Sequence, residues 1–236
     1  MTIDRLTRRK LLTVIAGGGV ASVSGLALST DRSRAFTQTT EIRTGSVDGL
    51  LLDWRETYNG ATLADTTEGT TSVSSSGPAM TLGNVLPGDS GTLSVRLRVD
   101  GDAGFGEGRA AVEPELTVTS SGNLETPGLH EFVDAAVWYD TGLFGIDAFG
   151  AGNGVRDFGE RLIHPDARGT LEDVILALED GIVLDASPYT PGTRCLGVDD
   201  AVTVTVGWSF PTGQPNVNAV QGTSVELDLQ IDARQC

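Results

Sequence analysis

Lysine is almost missing from this chain. Lys10 is the single lysine among 16 basic residues, which face 32 acidic ones and leave a formal net charge of -16. A surplus of that size makes nucleic acid and anionic lipid poor partners, because both attract proteins first through their own negative charge. Histidine is equally scarce, with His130 and His164 only, and cysteine is limited to Cys195 and Cys236. Those counts exclude the Cys/His-rich ligand sets of structural zinc modules. No Walker A sequence, no G-x-S-x-G elbow and no N-x-S/T sequon occurs, so the common phosphate-cradle and nucleophile-elbow chemistries lack their residues. What is present is a 236-residue chain that is 39% hydrophobic and 20% charged. That is enough for one good core and too apolar for a wholly disordered polymer. Arginine in place of lysine, with the carboxylate excess, is the composition expected of a protein working in concentrated salt. There the Debye length falls to about 3 Å, and surface carboxylates chiefly hold water.

The first 35 residues read as an export signal. Arg5, Arg8, Arg9 and Lys10 precede a weakly apolar stretch from Leu11 to Leu28 that is interrupted by Gly17, Gly18, Gly19 and Gly25, the layout of a signal peptide. Thr7-Arg8-Arg9-Lys10-Leu11-Leu12 approximates the twin-arginine pattern, with Leu11 where that pattern prefers Phe. Cleavage is expected after Ala35, with Ala27-Leu28-Ser29 as the second choice; the alternative is an uncleaved anchor. The trimmed chain, 36–236, would carry 10 basic against 30 acidic residues and no membrane span. Signal peptidase and the export machinery are its first expected partners.

The remainder alternates with period two. Leu93, Val95, Leu97 and Val99 share one face of Thr92–Val99, and Val202, Val204, Val206, Trp208 and Phe210 repeat the pattern. Val225, Leu227, Leu229 and Ile231 do so again, opposed by Glu226, Asp228, Gln230 and Asp232. Half-buried strands have this rhythm. Gly49–Trp54, Leu116–Thr119 and Phe132–Tyr139 are further strand candidates, and Pro87-Gly88-Asp89, Pro127-Gly128 and Pro211-Thr212-Gly213 are turns. The expected fold is all-β: a single β-sandwich or jelly roll with one short amphipathic helix near 170–180. The helix follows from Thr170 as N-cap with Asp173 at N3, then Leu171, Val174, Ile175 and Leu178 at helical spacing before Gly181. It should lay its aliphatic stripe over an open end or edge. Thr66–Gly77 and Gly101–Gly108 read as exposed loops. In an exported chain, Cys195 and Cys236 suggest one disulfide closing a loop of ~40 residues, which contributes roughly 3 to 4 kcal/mol in the chain-entropy picture. Two free thiols, or an intermolecular bridge through Cys236, are the alternatives.

Gly88-Asp89-Ser90-Gly91 copies the surroundings of a trypsin-like nucleophile, yet both histidines follow it, whereas that family places its histidine first. A turn leading into a strand is the reading. His130-Glu131-Phe132-Val133-Asp134 approaches the zincin motif, but Asp134 stands where the second imidazole is needed. Asp147, Asn153, Asp157 and Glu160 lie in a Gly-rich loop and are weak calcium candidates, since the alternate-oxygen spacing of an EF-hand is absent. Gly150, Gly152 and Gly154 do not form a dinucleotide fingerprint. No catalytic or cofactor-binding residue is assigned, and calcium is the one cofactor considered.

Several ordered segments together resemble a known group. Phe36-Thr37-Gln38-Thr39-Thr40-Glu41 stands where an FSDTE-like stretch follows the signal. Asp48-Gly49-Leu50-Leu51-Leu52-Asp53-Trp54 continues into Tyr58-Asn59-Gly60 like a D-W-x-x-x-Y-x-G strand. Leu86-Pro87-Gly88-Asp89-Ser90-Gly91 matches an L-x-P-G-D-S-G turn. Val137-Trp138-Tyr139-Asp140, Gly169-Thr170-Leu171 and the end at Arg234-Gln235-Cys236 follow in the same order. The chain thus resembles haloarchaeal secreted proteins with SipW-type signal peptides, relatives of the TasA and camelysin family. Two departures are a degraded FSDTE stretch and the absence of that group's extra cysteines. The resemblance implies an extracellular jelly roll that builds biofilm-matrix fibres, one subunit's N-terminal strand completing its neighbour's sheet. Phe36, Leu50, Leu51 and Leu52 would be the donated side chains. The expected function is that of a secreted, non-enzymatic cell-surface or matrix protein whose partners are copies of itself or other surface proteins. A camelysin-like metalloprotease and a monomeric surface binding module are the alternatives.

Overall fold

In a computed structural model, the described residues are 40–44, 47–65, 80–99, 111–120, 124, 127–142, 151–187, 190, 192, 194–198, 200–220 and 222–236. All belong to the unit Asp31–Cys236. The leader, Phe36, Asp147 and the two loop expectations lie outside them. No helix among the described residues is long and apolar enough to cross a membrane.

Two antiparallel sheets make up the fold. Strands β1 (Thr40–Thr44), β2 (Val47–Tyr58), β3 (Ala61–Asp65), β5 (Ser90–Val99), β7 (Asp134–Tyr139), β8 (Arg168–Thr170) and β11 (Ala201–Ser209) form the larger sheet. Its order is β1-β2-β5-β11-β7-β8, with β3 also on β2. The smaller sheet contains β4 (Met80–Gly83), β6 (Ala111–Ser120), β9 (Ile182–Val183), β10 (Leu196–Gly197) and β12 (Ser224–Gln235), in the order β10-β6-β12-β4 with β9 on β6. The fold is therefore an all-β, jelly-roll-like sandwich. Its core is the alternation foreseen from sequence. Leu93, Val95, Leu97 and Val99 of β5 and Val202, Val204, Val206 and Trp208 of β11 are buried, together with Leu116 and Val118 of β6 and Val225 and Leu227 of β12. Leu229 and Ile231 are only partly buried, packed against the rim of the core.

The single helix among the described residues, α1 (Leu171–Leu178), begins as its sequence dictates. Thr170 Oγ1 accepts the Asp173 N–H at 3.1 Å, and Asp173 Oδ2 takes the Thr170 N–H at 2.9 Å, a reciprocal cap. The Thr170 hydroxyl, 2.8 Å from Asp173 Oδ2, and then the Thr170 N–H hold the Asp173 carboxyl below its ordinary pKa. Leu171, Val174, Ile175 and Leu178 are all buried, and each contributes roughly 1.5 to 3 kcal/mol. The helix touches β7 and β8 of one sheet and β6 of the other, so it closes the gap between them.

Turns set the remaining geometry. Asn59 and Gly60, with φ of 47° and 78°, join β2 to β3 as a two-residue hairpin. The Pro87-Gly88-Asp89 turn is knotted to that hairpin: Asp89 accepts from the Tyr58 hydroxyl, from Asn59 Nδ2 at 2.9 Å and from the Leu86 N–H at 2.8 Å. Burial raises the Asp89 pKa, but these donors outweigh it and the net shift is downward. Ser90 opens β5 with its N–H on Asn59 Oδ1 at 2.9 Å, so the protease-like tetrapeptide is a turn.

Cys195 and Cys236 are joined by a disulfide with Cα atoms 6.2 Å apart. β10 and β12 flank β6 on opposite sides, so the bond ties the chain's last residue across the start of that strand, where the Cys236 N–H also donates to Ala111 O at 2.9 Å. The bond closes a sequence separation of 41 residues. Reduction, or Cys236→Ser, is expected to lower unfolding free energy by about 3 to 4 kcal/mol. Urea melts with and without reductant measure it; coincident curves would contradict the stapling role.

Candidate functional site

The outer face of the larger sheet carries the polar chemistry. Along β11 the apolar side chains point to the core, while Thr203 and Thr205 point the other way and are buried nonetheless. What covers them is the segment that follows β7, described here from residue 151 to 160. Asp140, at the end of β7 and fully buried, fastens it. Asp140 Oδ2 accepts the Gly154 N–H and the Thr205 hydroxyl, each at 2.8 Å, and Thr205 Oγ1 lies 2.8 Å from Ser94 Oγ on β5. Thr205 has one proton; with Asp140 as acceptor, Ser94 is the donor to Thr205. The Asp140 carbonyl takes the Gly152 N–H at 3.1 Å, and the Arg55 guanidinium donates to Gly152 O. Gly154 has a φ of 75°, and a Cβ there would stand 2.8 Å from Thr92 Oγ1. Only glycine lets the segment lie this close to the sheet.

Glu160 closes the other end. It is buried, with Oε1 on the Gly142 N–H at 2.9 Å and Oε2 on the Asp157 N–H at 2.8 Å. Burial raises the pKa of both inner acids. For Glu160 the value reaches about 7, burial being the main cause, with the neighbouring Asp140 charge adding to it. For Asp140, burial outweighs the hydrogen bonds that favour its ionised form, from the Gly154 amide and the Thr205 hydroxyl.

Three of the four calcium candidates lie among the described residues. Asp147 lies outside the described residues. Asn153 Nδ2 donates to Asp157 Oδ2 at 2.9 Å on the surface, whereas Glu160 turns inward to two amides. Of the acids at the heart of the segment, Glu160 was singled out from sequence, as a calcium candidate; Asp140 was not, nor were Thr205 and Ser94. Spacing gives no hint of them, because β5, β7 and β11 meet only in the folded sheet.

Beside this segment runs an open trough of about 780 Å³ across the sheet. Small residues floor it, including Thr57, Thr92, Ala136 and Gly207, and Arg156 and Arg168 line it together with Asp134. The zincin-like pentapeptide does not become a helix. His130 and Glu131 sit in a 3-10 turn, Leu129–Glu131, and Asp134 is the exposed first residue of β7. His164 accepts the Asp166 N–H at 3.2 Å in a surface turn.

Two outcomes follow. Thr205→Val leaves the Asp140 carboxyl short of a donor in a buried place, at a cost of about 1 to 3 kcal/mol; denaturant melts, and faster tryptic cutting at Arg156 and Arg161, report it. Glu160 has a folded pKa near 7 against an ordinary 4.5, so the folded state binds the extra proton between those values. Stability therefore falls as pH rises through that window. Glu160→Gln is expected to remove the part of the slope that lies between pH 4.5 and about 7, and an unchanged slope would show that the group ionises freely.

Compared with known proteins, the chain matches no family model, no curated protein and no solved structure.

Proposed function

We propose that this is an exported protein of the cell surface or extracellular matrix that works by contact with copies of itself, without catalysis. The observation that carries the reading is the edge of the larger sheet. β1 and β3 lie in tandem on the same side of β2, and among the described residues no strand pairs beyond them. Such an edge presents unpaired backbone N–H and C=O groups to any chain that can supply a strand.

The register narrows which strand can be exchanged. Leu50 and Leu52, expected as donated side chains, are buried in their own sandwich. Leu51 lies half-buried on the opposite face, and β2 is held between β1 and β5. They are not available to fill a neighbour's groove. β1 is different, because only residues 45 and 46 separate it from β2. Exchanged between copies, β1 can make with a neighbour's β2 the same ladder it makes with its own, from Thr40↔Leu52 to Thr44↔Val47. Identical interactions made in trans cost little, and a head-to-tail contact that does not close gives a filament. The resemblance to TasA-like proteins supports the same reading, as does a disulfide, which persists in oxidising compartments.

Native protein in concentrated salt is expected to form filaments visible by electron microscopy. Deleting residues 36–46 should leave folded monomers by light scattering. A wild-type protein that stays monomeric at high concentration, or filaments that survive the deletion, would refute the assembly.

The trough favours a second reading, a surface binding module. Two guanidinium groups against one carboxylate make it locally cationic on a chain of charge -16, which suits an anionic glycan. Binding of an oligogalacturonate that weakens in Arg168→Gln would support this reading; no binding in calorimetry dismisses it.

A further inference from the structure

We infer that His130, Glu131 and Glu172 form a site for one divalent transition-metal ion of the zinc class. Three observations meet there. The ligand atoms of these residues all lie within 4.8 Å of one another. His130 is 5% exposed, and its Nε2 is buried without a hydrogen-bond partner. The nearest charged oxygen to that nitrogen, Glu131 Oε1, stands 3.9 Å away, beyond hydrogen-bond reach. Among the described residues no arginine pairs with Glu131 or Glu172. A buried imidazole nitrogen and two carboxylates thus converge with no cation or donor between them. Leaving the buried His130 nitrogen unpaired is unfavourable, and a bound cation held also by the two carboxylates removes that penalty.

The fold explains why they converge. Val133 O accepts the Leu171 N–H at 2.7 Å, which fixes the start of α1 beside the 3-10 turn. Leu129, Val133 and Leu171 are all buried beneath this junction. The Thr170–Asp173 cap then places Glu172 in the first turn of the helix, on the turn's side of the molecule. Glu131 is exposed and Glu172 half-buried, so both have rotamer freedom to close from the present separation to the roughly 3.3 Å between ligands that tetrahedral bonds of ~2.1 Å require. The donor set, one imidazole nitrogen and two carboxylate oxygens, suits zinc better than calcium, which takes oxygen alone. A fourth position is left for water. Glu160 offers a contrast, since both of its oxygens already accept backbone amides.

The ion would clamp α1 to the turn that precedes β7, fastening the helix that closes the sandwich. The inference is independent of the assembly reading above. To test it, the untagged full chain is stripped with chelator and titrated with zinc in molar NaCl with excess magnesium, which saturates the many surface carboxylates. One zinc per chain is expected, with a rise in melting temperature. Glu172→Gln, at a half-exposed position, should weaken binding at least about tenfold without altering the metal-free melt. His130→Asn should do the same, its fold checked by circular dichroism. Cobalt(II) in place of zinc should give visible absorption bands that Glu172→Gln abolishes. Zinc binding that is absent, or equal in the wild type and Glu172→Gln, would overturn the assignment.

Discussion

The Thr205–Asp140 hydrogen bond is what allows the central strand of the larger sheet to be covered on both faces. β11 pairs with β5 on one side and β7 on the other, and its valines fill the core. Its opposite face carries hydroxyls, which an ordinary sandwich would leave in water. Burying them is tolerable only if each is bonded, and Asp140, coming off the neighbouring strand, supplies the acceptor. The same oxygen holds Gly154, so the segment that covers the face is fastened by the group that satisfies it. This arrangement places a carboxylate in a dry environment, which is why burial raises the pKa of Asp140, and why its nearby charge adds to the rise at Glu160. The covering of the polar outer face and part of the rise at Glu160 descend from that one choice of residue.

Much of the fold was legible because it rests on local rules. β5, β11 and β12 follow from strict alternation, and α1 follows from Thr170, Asp173 and four aliphatics at helical spacing. The disulfide was suggested by having only two cysteines in a chain read as exported; their meeting across β6 is a tertiary fact. Asn59-Gly60 was a legible hairpin signal, quoted only as part of the resemblance, while the strand candidate itself ended at Trp54. Phe132 and Val133, read as strand, belong to the turn before β7, where the 3-10 residues Leu129–Glu131 set the entry angle.

The sites were less legible, for a physical reason. Asp140 looks like the end of a strand motif, and nothing in its neighbourhood announces Thr205 or Ser94, which reach it only through strand pairing. His130-Glu131 drew attention as part of a helical motif needing a ligand at i+4. The backbone instead makes a tight turn, so the residue that approaches is Glu172, from a separate element whose own signal was purely structural. Periodicity identifies which face of an element is dry; it does not say which elements meet at their ends.

The acidic surface bears on which mode of association is physically open. Copies of a chain this negative repel one another in dilute buffer, and salt bridges between them would be weak in brine, where charges more than a few ångströms apart are screened. Backbone hydrogen bonds at a sheet edge are short-range and need no net charge, and the ladder formed by β1 on a neighbour's β2 copies one the fold already satisfies. An exchanged strand thus adds affinity without asking the surface to be anything but hydrated. High salt would remove the repulsion and leave such a ladder intact, so an acidic composition and the proposed association through exchanged strands do not oppose each other.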